Sequence, residues 1–288
     1  MKYILLLCIM SLLFACTQQE RTNESSRSNF IFANHKMNPY VFDEKYGIEG
    51  FYTGFFEALK FDDTKDIMYR NKITVAIDSI TATNIYGHSV VAGNYRPFKG
   101  EYEKDAHIWH VTAREPGDDK YDGVFKFMVD GNKMILQGSW KANDTNLAVS
   151  EREYVLEKKE FTYDPQQQLP EYLTYEGIYG SYNEKTDMEE GFTDDIFKFN
   201  ASVDILKKED VENMYQADLE ILRNSIYARH GYSFKNRRMR FVFDNFVEWY
   251  MPVSVNITSQ LTEIEKQNID LIKRYEEHAS KYYDVFGR

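Results

Sequence analysis

Between Gly50 and Phe161 apolar and polar residues alternate in short runs, without the spacing of an amphipathic helix. Ile73, Val75 and Ile77 interleave with Thr74, Ala76 and Asp78, so a pleated strand there carries one apolar row on one face. The pattern predicts about eight strands, near 50–59, 71–79, 83–92, 97–103, 107–115, 122–129, 132–141 and 151–160. Val124–Val129, then Asp130-Gly131, then Asn132–Trp140 is a hairpin signal, because Asp-Gly accepts the positive φ values of a two-residue type I′ turn. Short strands in succession with no helix between them predict an antiparallel barrel or sandwich. Eight up-and-down strands resemble a lipocalin-like calycin in architecture. Such a barrel either encloses one small apolar ligand or is filled by its own side chains.

The pattern changes after Asp164-Pro165, where a polar stretch ends at Pro170. A Tyr-rich segment follows, with 175–182 read as a further strand of the barrel and Glu184–Asp195 as an acidic loop. From Asp218 onwards Leu219, Leu222 and Ile226 recur at helical spacing, and Gly231 stands where a left-handed residue ends a helix. A second helix is predicted over about 236–246, ahead of Trp249-Tyr250-Met251-Pro252. Thr262 and Glu265 make a capping box that opens a final helix, with Ile264, Leu271, Ile272 and Tyr275 read as its core face. The chain is therefore expected to be α+β. It divides into a leader (1–15), a tether (16–36), a β domain (37–182), an acidic linker (183–203) and a helical domain (204–288).

Tyr227-Ala228-Arg229-His230-Gly231 is preceded by Leu222-Arg223-Asn224. Tyr232-Ser233-Phe234, Trp249-Tyr250-x-Pro252 and Leu261-Thr262-x-x-Glu265 follow it. Over about 204–277 this order of elements resembles the YARHG domain, a bacterial domain of extracellular proteins, so the resemblance implies export but no particular activity. Two readings of the motif are open. In the first, Tyr227 and Ala228 pack, Arg229 pairs with a carboxylate, His230 caps carbonyls and Gly231 makes the turn. In the second, Tyr227, Arg229, His230 and Trp249 share a surface that grips an anionic or glycan ligand.

Lys2 precedes an apolar run of about a dozen residues, too short for the ~20 of a spanning helix and patterned like a secretory signal. The run ends at Leu13-Phe14-Ala15-Cys16, which resembles the lipobox of bacterial lipoproteins. That resemblance implies cleavage before Cys16 and acyl chains on its thiol and amino group, which hold a bilayer firmly. Cys8 lies in the leader, so the processed chain keeps Cys16 alone and forms no internal disulfide. Thr17–Asn29 reads as a polar tether.

The charge balance of 35 basic against 46 acidic residues, −11 overall, opposes nucleic-acid binding, which needs clustered Lys and Arg. Gly87-His88-Ser89-Val90-Val91 lacks the closing glycine of a nucleophile elbow. His107 and His110 fall on opposite faces of a strand, and no His-Glu-x-x-His or P-loop occurs. Glu101 and Glu103 share a strand face and are the carboxylate pair a glycan hydrolase would need. Asp187, Glu189, Glu190, Asp194 and Asp195 lack the EF-hand spacing, and Trp109 and Trp140 are read as strand core or as a sugar platform. No cofactor and no metal is called for. The expectation is a lipid-anchored outer-membrane protein of a Gram-negative envelope, facing the periplasm or the cell surface. It would bind or scaffold a cell-wall glycan such as peptidoglycan, or a small ligand, without catalysis. The alternatives are a glycan or peptide hydrolase and a protein-interaction subunit without a small ligand.

Overall fold

The structure is a computed structural model that describes residue 42 and residues 45–173, 182–183, 188–189 and 191–282, the four residues of 182–183 and 188–189 by backbone alone. The lipobox, Cys16, the tether, most of the Tyr-rich segment and residues 184–187 and 190 of the acidic loop, among them Asp187 and Glu190, therefore lie outside the described residues. Eight antiparallel strands close into a barrel: β1 (Gly50–Phe61), β2 (Arg70–Ile80), β3 (Asn84–Val91), β4 (Asn94–Asp105), β5 (Ile108–Arg114), β6 (Gly123–Asp130), β7 (Ile135–Ala142) and β8 (Val149–Lys159). Each strand pairs with the next, and β1 closes on β8 with Gly54 opposite Leu156. A separate two-stranded ladder, β9 (Tyr182–Asn183) with β10 (Met188–Glu189), stands outside the barrel, so Tyr182 does not extend it.

The alternation read from the sequence sets which side chains point inward. Ile73, Val75 and Ile77 face the interior beside Tyr52, Phe56, Phe98, Trp109, Phe125, Phe127, Trp140 and Tyr154, and together they fill it. Phe125 lies 5.7 Å from Phe98 and 6.0 Å from Tyr154, ring to ring, and Phe56 lies 5.7 Å from Trp140. Trp109 and Trp140 are thus core residues, only 2% and 6% exposed, and they offer no platform to a sugar. Outward positions of the far wall carry charge, among them Glu101, Glu103, Lys126, Lys141, Glu153 and Glu157. That is the reverse of a lipid-facing barrel, whose outer wall is apolar. Among the described residues no helix is long and apolar enough to cross a membrane.

The hairpin signals were legible, though the type I′ turn falls elsewhere. Asp130 pairs with Ile135, so four residues rather than two separate β6 from β7, and the positive φ belongs to Met134 instead of Gly131. The Asp130 carboxylate accepts the amides of Asn132 and Lys133, both at 3.0 Å, which stabilises the longer turn. The two-residue turn sits at Ala92-Gly93, between Val91 and Asn94, where both φ values are positive.

The C-terminal part contains a one-turn helix α1 (Lys208–Val211), then α2 (Gln216–Arg229), α3 (Arg237–Phe246) and α4 (Glu263–Tyr282). Asn236 caps α3 by accepting the amides of Arg238 and Met239. The capping box is present: Thr262 N–H donates to Glu265 at 2.9 Å, and Glu265 N–H to the Thr262 hydroxyl at 3.2 Å. The core face of α4 is shifted from the expected one. Ile269, Ile272 and Ala279 are buried with Glu265 and Asn268, while Ile264, Leu271 and Tyr275 are half-buried. Glu265 and Asn268 displace apolar residues on that face because each serves an internal hydrogen-bond network, Asn268 by bonding Leu206 N–H and the carbonyls of Ala201 and Asp204.

Two segments assigned to other domains by sequence belong to this helical unit. Leu169 and Leu173, expected in the β domain, and Phe192 and Ile196, expected in a solvated linker, are buried against α2 and α3. They supply apolar surface that three helices of modest length cannot bury by themselves.

The helical unit rests on the outer wall of β1–β3. Phe51 and Ala76 of that wall pack with Phe161, Met251 and Val253. This explains why Thr74 and Ala76, the nominally outward row of β2, are as buried as the inward one. Lys72 N–H donates to Asp244 of α3 at 2.9 Å, and the Lys72 ammonium donates to the carbonyls of Val247 at 3.0 Å and Glu248 at 3.3 Å. Arg70 donates to Asn245 at 2.8 Å, and Gly93 N–H to the Ser233 hydroxyl at 2.9 Å.

Burial pushes Asp244 up to about 7, even though the Lys72 amide and the charges of Arg240 and Lys72 favour its ionised form. The folded chain therefore holds a proton there that the unfolded chain releases near pH 4, so the contribution of Asp244 to stability is lost as pH rises from about 4 to 7. Asp244→Asn is expected to flatten the dependence between pH 5 and 7 by about 1 kcal/mol per pH unit, read from urea midpoints. Glu115, also raised to about 7 by burial, keeps its own contribution in that variant.

Candidate functional site

The pentapeptide motif ends α2 and reaches into the seam between helices and barrel. Gly231 adopts φ +70°, and its carbonyl accepts the amides of Val253 at 2.8 Å and Ser254 at 3.0 Å. A Cβ at this position would meet Val253 Cγ2 at 2.4 Å and Phe161 Cε2 at 2.8 Å. Both the backbone and the available space therefore require glycine. Ala228 is buried in the core shared with α3, and Tyr227 packs half-buried between the two helical cores.

Arg229 and His230 turn inward. The Arg229 guanidinium donates to the Gln167 carbonyl at 2.8 Å and to the hydroxyls of Ser225 at 3.0 Å and Ser202 at 3.3 Å. Its partners are thus neutral oxygens instead of the expected carboxylate, and burial lowers its pKa to about 10. Its charge lies 6.0 Å from the Trp249 ring centre, and the Trp249 indole N–H donates to the Gln168 carbonyl at 2.7 Å. Arg229 and Trp249 together therefore clamp the 167–168 segment.

His230 Nε2 lies 2.8 Å from Glu265 Oε2, and its ring stacks on Tyr163 at 4.1 Å between centres. Its partner is a carboxylate rather than the helix carbonyls the sequence suggested. Tyr163 donates its hydroxyl to Glu265 Oε1 at 2.9 Å. Burial alone would raise the Glu265 pKa. The His230 bond and charge and the Thr262 amide outweigh it and hold the carboxyl below its usual range. Tyr163 is pushed well above its ordinary value, first by burial and then by the neighbouring carboxylate. Sequence reading found Glu265 as a capping residue and missed its second task. One carboxylate caps α4 and ties the end of α2 to the 160–173 segment.

The four motif residues do not share an exposed face. Arg229 is 4% and His230 2% exposed, whereas Tyr227 and Trp249 reach the surface. Tyr227 instead helps line a groove of about 760 Å³ between α2 and α4, flanked by the 232–236 and 255–258 loops. A smaller hollow of about 310 Å³ continues it along the same helices, sharing Arg223 and Lys273. The ring of Tyr232 lies 5.9 Å from Tyr227 and 5.4 Å from Phe234, so adjoining aromatic surfaces form the groove floor.

Other candidates are scattered. Glu101 and Glu103 lie on the exposed wall of β4, opposite Thr112 and His110 of β5. His88 and Ser89 are neighbours on a strand and so point to opposite sides of the barrel wall, which gives no nucleophile elbow. His88 contacts Asp78 at 2.9 Å instead. Asp195 pairs with Lys198 at 2.6 Å, and among the described residues no group of His, Cys, Asp and Glu could hold a metal ion.

A helical unit braced by its own motif and docked on a filled barrel is the class of architecture these observations define. Residues 199–277 match the YARHG domain, and the chain therefore carries a YARHG domain at its C-terminal end. The chain matches no curated protein and no solved structure.

Gly231→Ala is expected to lower stability by about 2–4 kcal/mol, combining left-handed strain with overpacking against Val253 and Phe161. Urea denaturation followed by far-ultraviolet circular dichroism checks it. An unchanged midpoint would contradict the account of the motif.

Proposed function

We propose that this protein is a non-catalytic binding module of the bacterial cell envelope, held to the outer membrane by acyl chains on Cys16 and facing the periplasm or cell surface. Its ligand is a cell-wall glycan, and its site is the groove of the YARHG domain. The single observation that carries this reading is that groove of about 760 Å³, lined by aromatic rings between two helices. Tyrosine rings flanked by polar side chains suit a sugar, which presents an apolar C–H face and a hydroxyl rim. The inward-turned Arg229 and His230 support the reading indirectly, since they fix the α2 end from which Tyr227 projects. The hydrolase alternative draws no comparable support, because Glu101 and Glu103 lie on an open, charged wall.

A second reading, a protein-interaction subunit without a small ligand, is favoured by exposed apolar side chains on the barrel. Leu59, Tyr69 and Val155 are each more than half exposed, and Phe61 lies ring to ring with Tyr69 at 5.1 Å.

Co-sedimentation of the full chain, kept in non-ionic detergent, with purified peptidoglycan sacculi tests the first reading. Wild type is expected to pellet with sacculi. Tyr227→Ala, checked for an unchanged circular dichroism spectrum, is expected to bind about fivefold more weakly. Wild type that stays in the supernatant would remove the wall glycan as ligand.

A further inference from the structure

The groove's charged groups are unevenly committed. Arg223 is paired with Glu276 at 2.8 Å, Arg238 with Glu220 at 3.1 Å, Lys266 with Glu263 at 2.7 Å and Lys281 with Glu277 at 2.6 Å. Among the described residues neither Lys235 nor Lys273 takes part in an ion pair, and both are exposed. They belong to opposite sides of the groove, Lys235 to the loop before α3 and Lys273 to α4. Of the acidic lining residues only Asp270 stands outside those pairs, so two uncommitted ammoniums face one carboxylate on a chain whose net charge is −11. A local excess of the minority charge attracts an anion over distances near the Debye length.

We propose that this groove takes a carboxylate-bearing glycan, with sugar rings against Tyr227 and Tyr232 and acidic substituents against Lys235 and Lys273. The inference rests on the reading of the groove as the ligand site and adds the charge class of the ligand. An extended acidic peptide fits less well. It would need an unpaired backbone edge to pair with, and the long walls of this groove are helices. A helical peptide would need a continuous apolar trough, whereas the rim here is polar. Lys235 also packs against Gly93 of the barrel, where a Cβ would meet Lys235 Cγ at 2.1 Å. The barrel turn thereby fixes where the base of that side chain leaves the backbone.

The test titrates the full chain in non-ionic detergent with three probes at low salt: oligogalacturonate, maltohexaose and poly-L-glutamate. Oligogalacturonate is expected to bind more tightly than neutral maltohexaose, and its affinity is expected to fall as salt rises from 20 to 300 mM, which shortens the Debye length about fourfold. The double substitution Lys235→Gln and Lys273→Gln is expected to weaken it about fivefold with an unchanged thermal midpoint, since both side chains are exposed. Equal affinity for the neutral and acidic sugars, absence of any salt or lysine effect, or failure of oligogalacturonate to bind would each overturn the proposal. Tighter binding of poly-L-glutamate would assign the groove to an acidic peptide instead. If sacculi bind while the lysine variant and high salt leave that binding intact, the glycan-binding function stands and only the charge assignment falls.

Discussion

The left-handed turn at Gly231 is the constraint on which the arrangement of this chain depends. It ends α2, aims His230 at Glu265, and turns its own carbonyl towards the amides of Val253 and Ser254. It also brings the backbone close enough to Phe161 and Val253 that no side chain fits between them. Those two residues lie in the apolar layer between helices and barrel, so the local conformation of one glycine sets how closely the helical unit approaches β1–β3. Ser233, two residues on, receives the amide of Gly93 and registers the loop against a barrel turn that itself needs positive φ.

Around that turn the motif divides its labour. Arg229 and His230 are buried cation-forming groups whose hydrogen bonds all go to the protein, and removing either partner of such a contact leaves a desolvated polar group behind. Tyr227 spans two cores and still shows a face to the groove. A motif can therefore be fixed in sequence for reasons of architecture and still shape a binding surface, through the one residue that the others hold in place.

Much of the fold could be read before the structure. Strict alternation along β2, the capping box at Thr262 and the glycine after α2 each follow from local chemistry, and all three appear where expected. What escaped reading is non-local. The burial of Thr74 and Ala76 depends on a domain more than a hundred residues away, and the contacts of Lys72 with Asp244 and the Val247 carbonyl span more than 170 positions that no local pattern connects. Phe192 and Ile196 were hidden by their acidic neighbours. Of the candidate site, sequence reading named Tyr227, whereas Arg229, His230 and Trp249, named with it, do not line the groove. Lys235 and Lys273 carry no local signal, because 38 residues separate them and only the packing of α4 on α2 brings them to one groove.

The central claim is that barrel and helical unit behave as one body joined through this seam. Native-state hydrogen exchange tests it most directly, because the amides of Lys72, Gly93, Val253 and Ser254 each bond across the seam or to the motif glycine. The account predicts that all four exchange with the slowest class, together with Ile73 and Val75 inside the barrel. Rapid exchange at these four positions while Ile73 and Val75 stay protected would show the helical unit lifting off an intact barrel, and would contradict it.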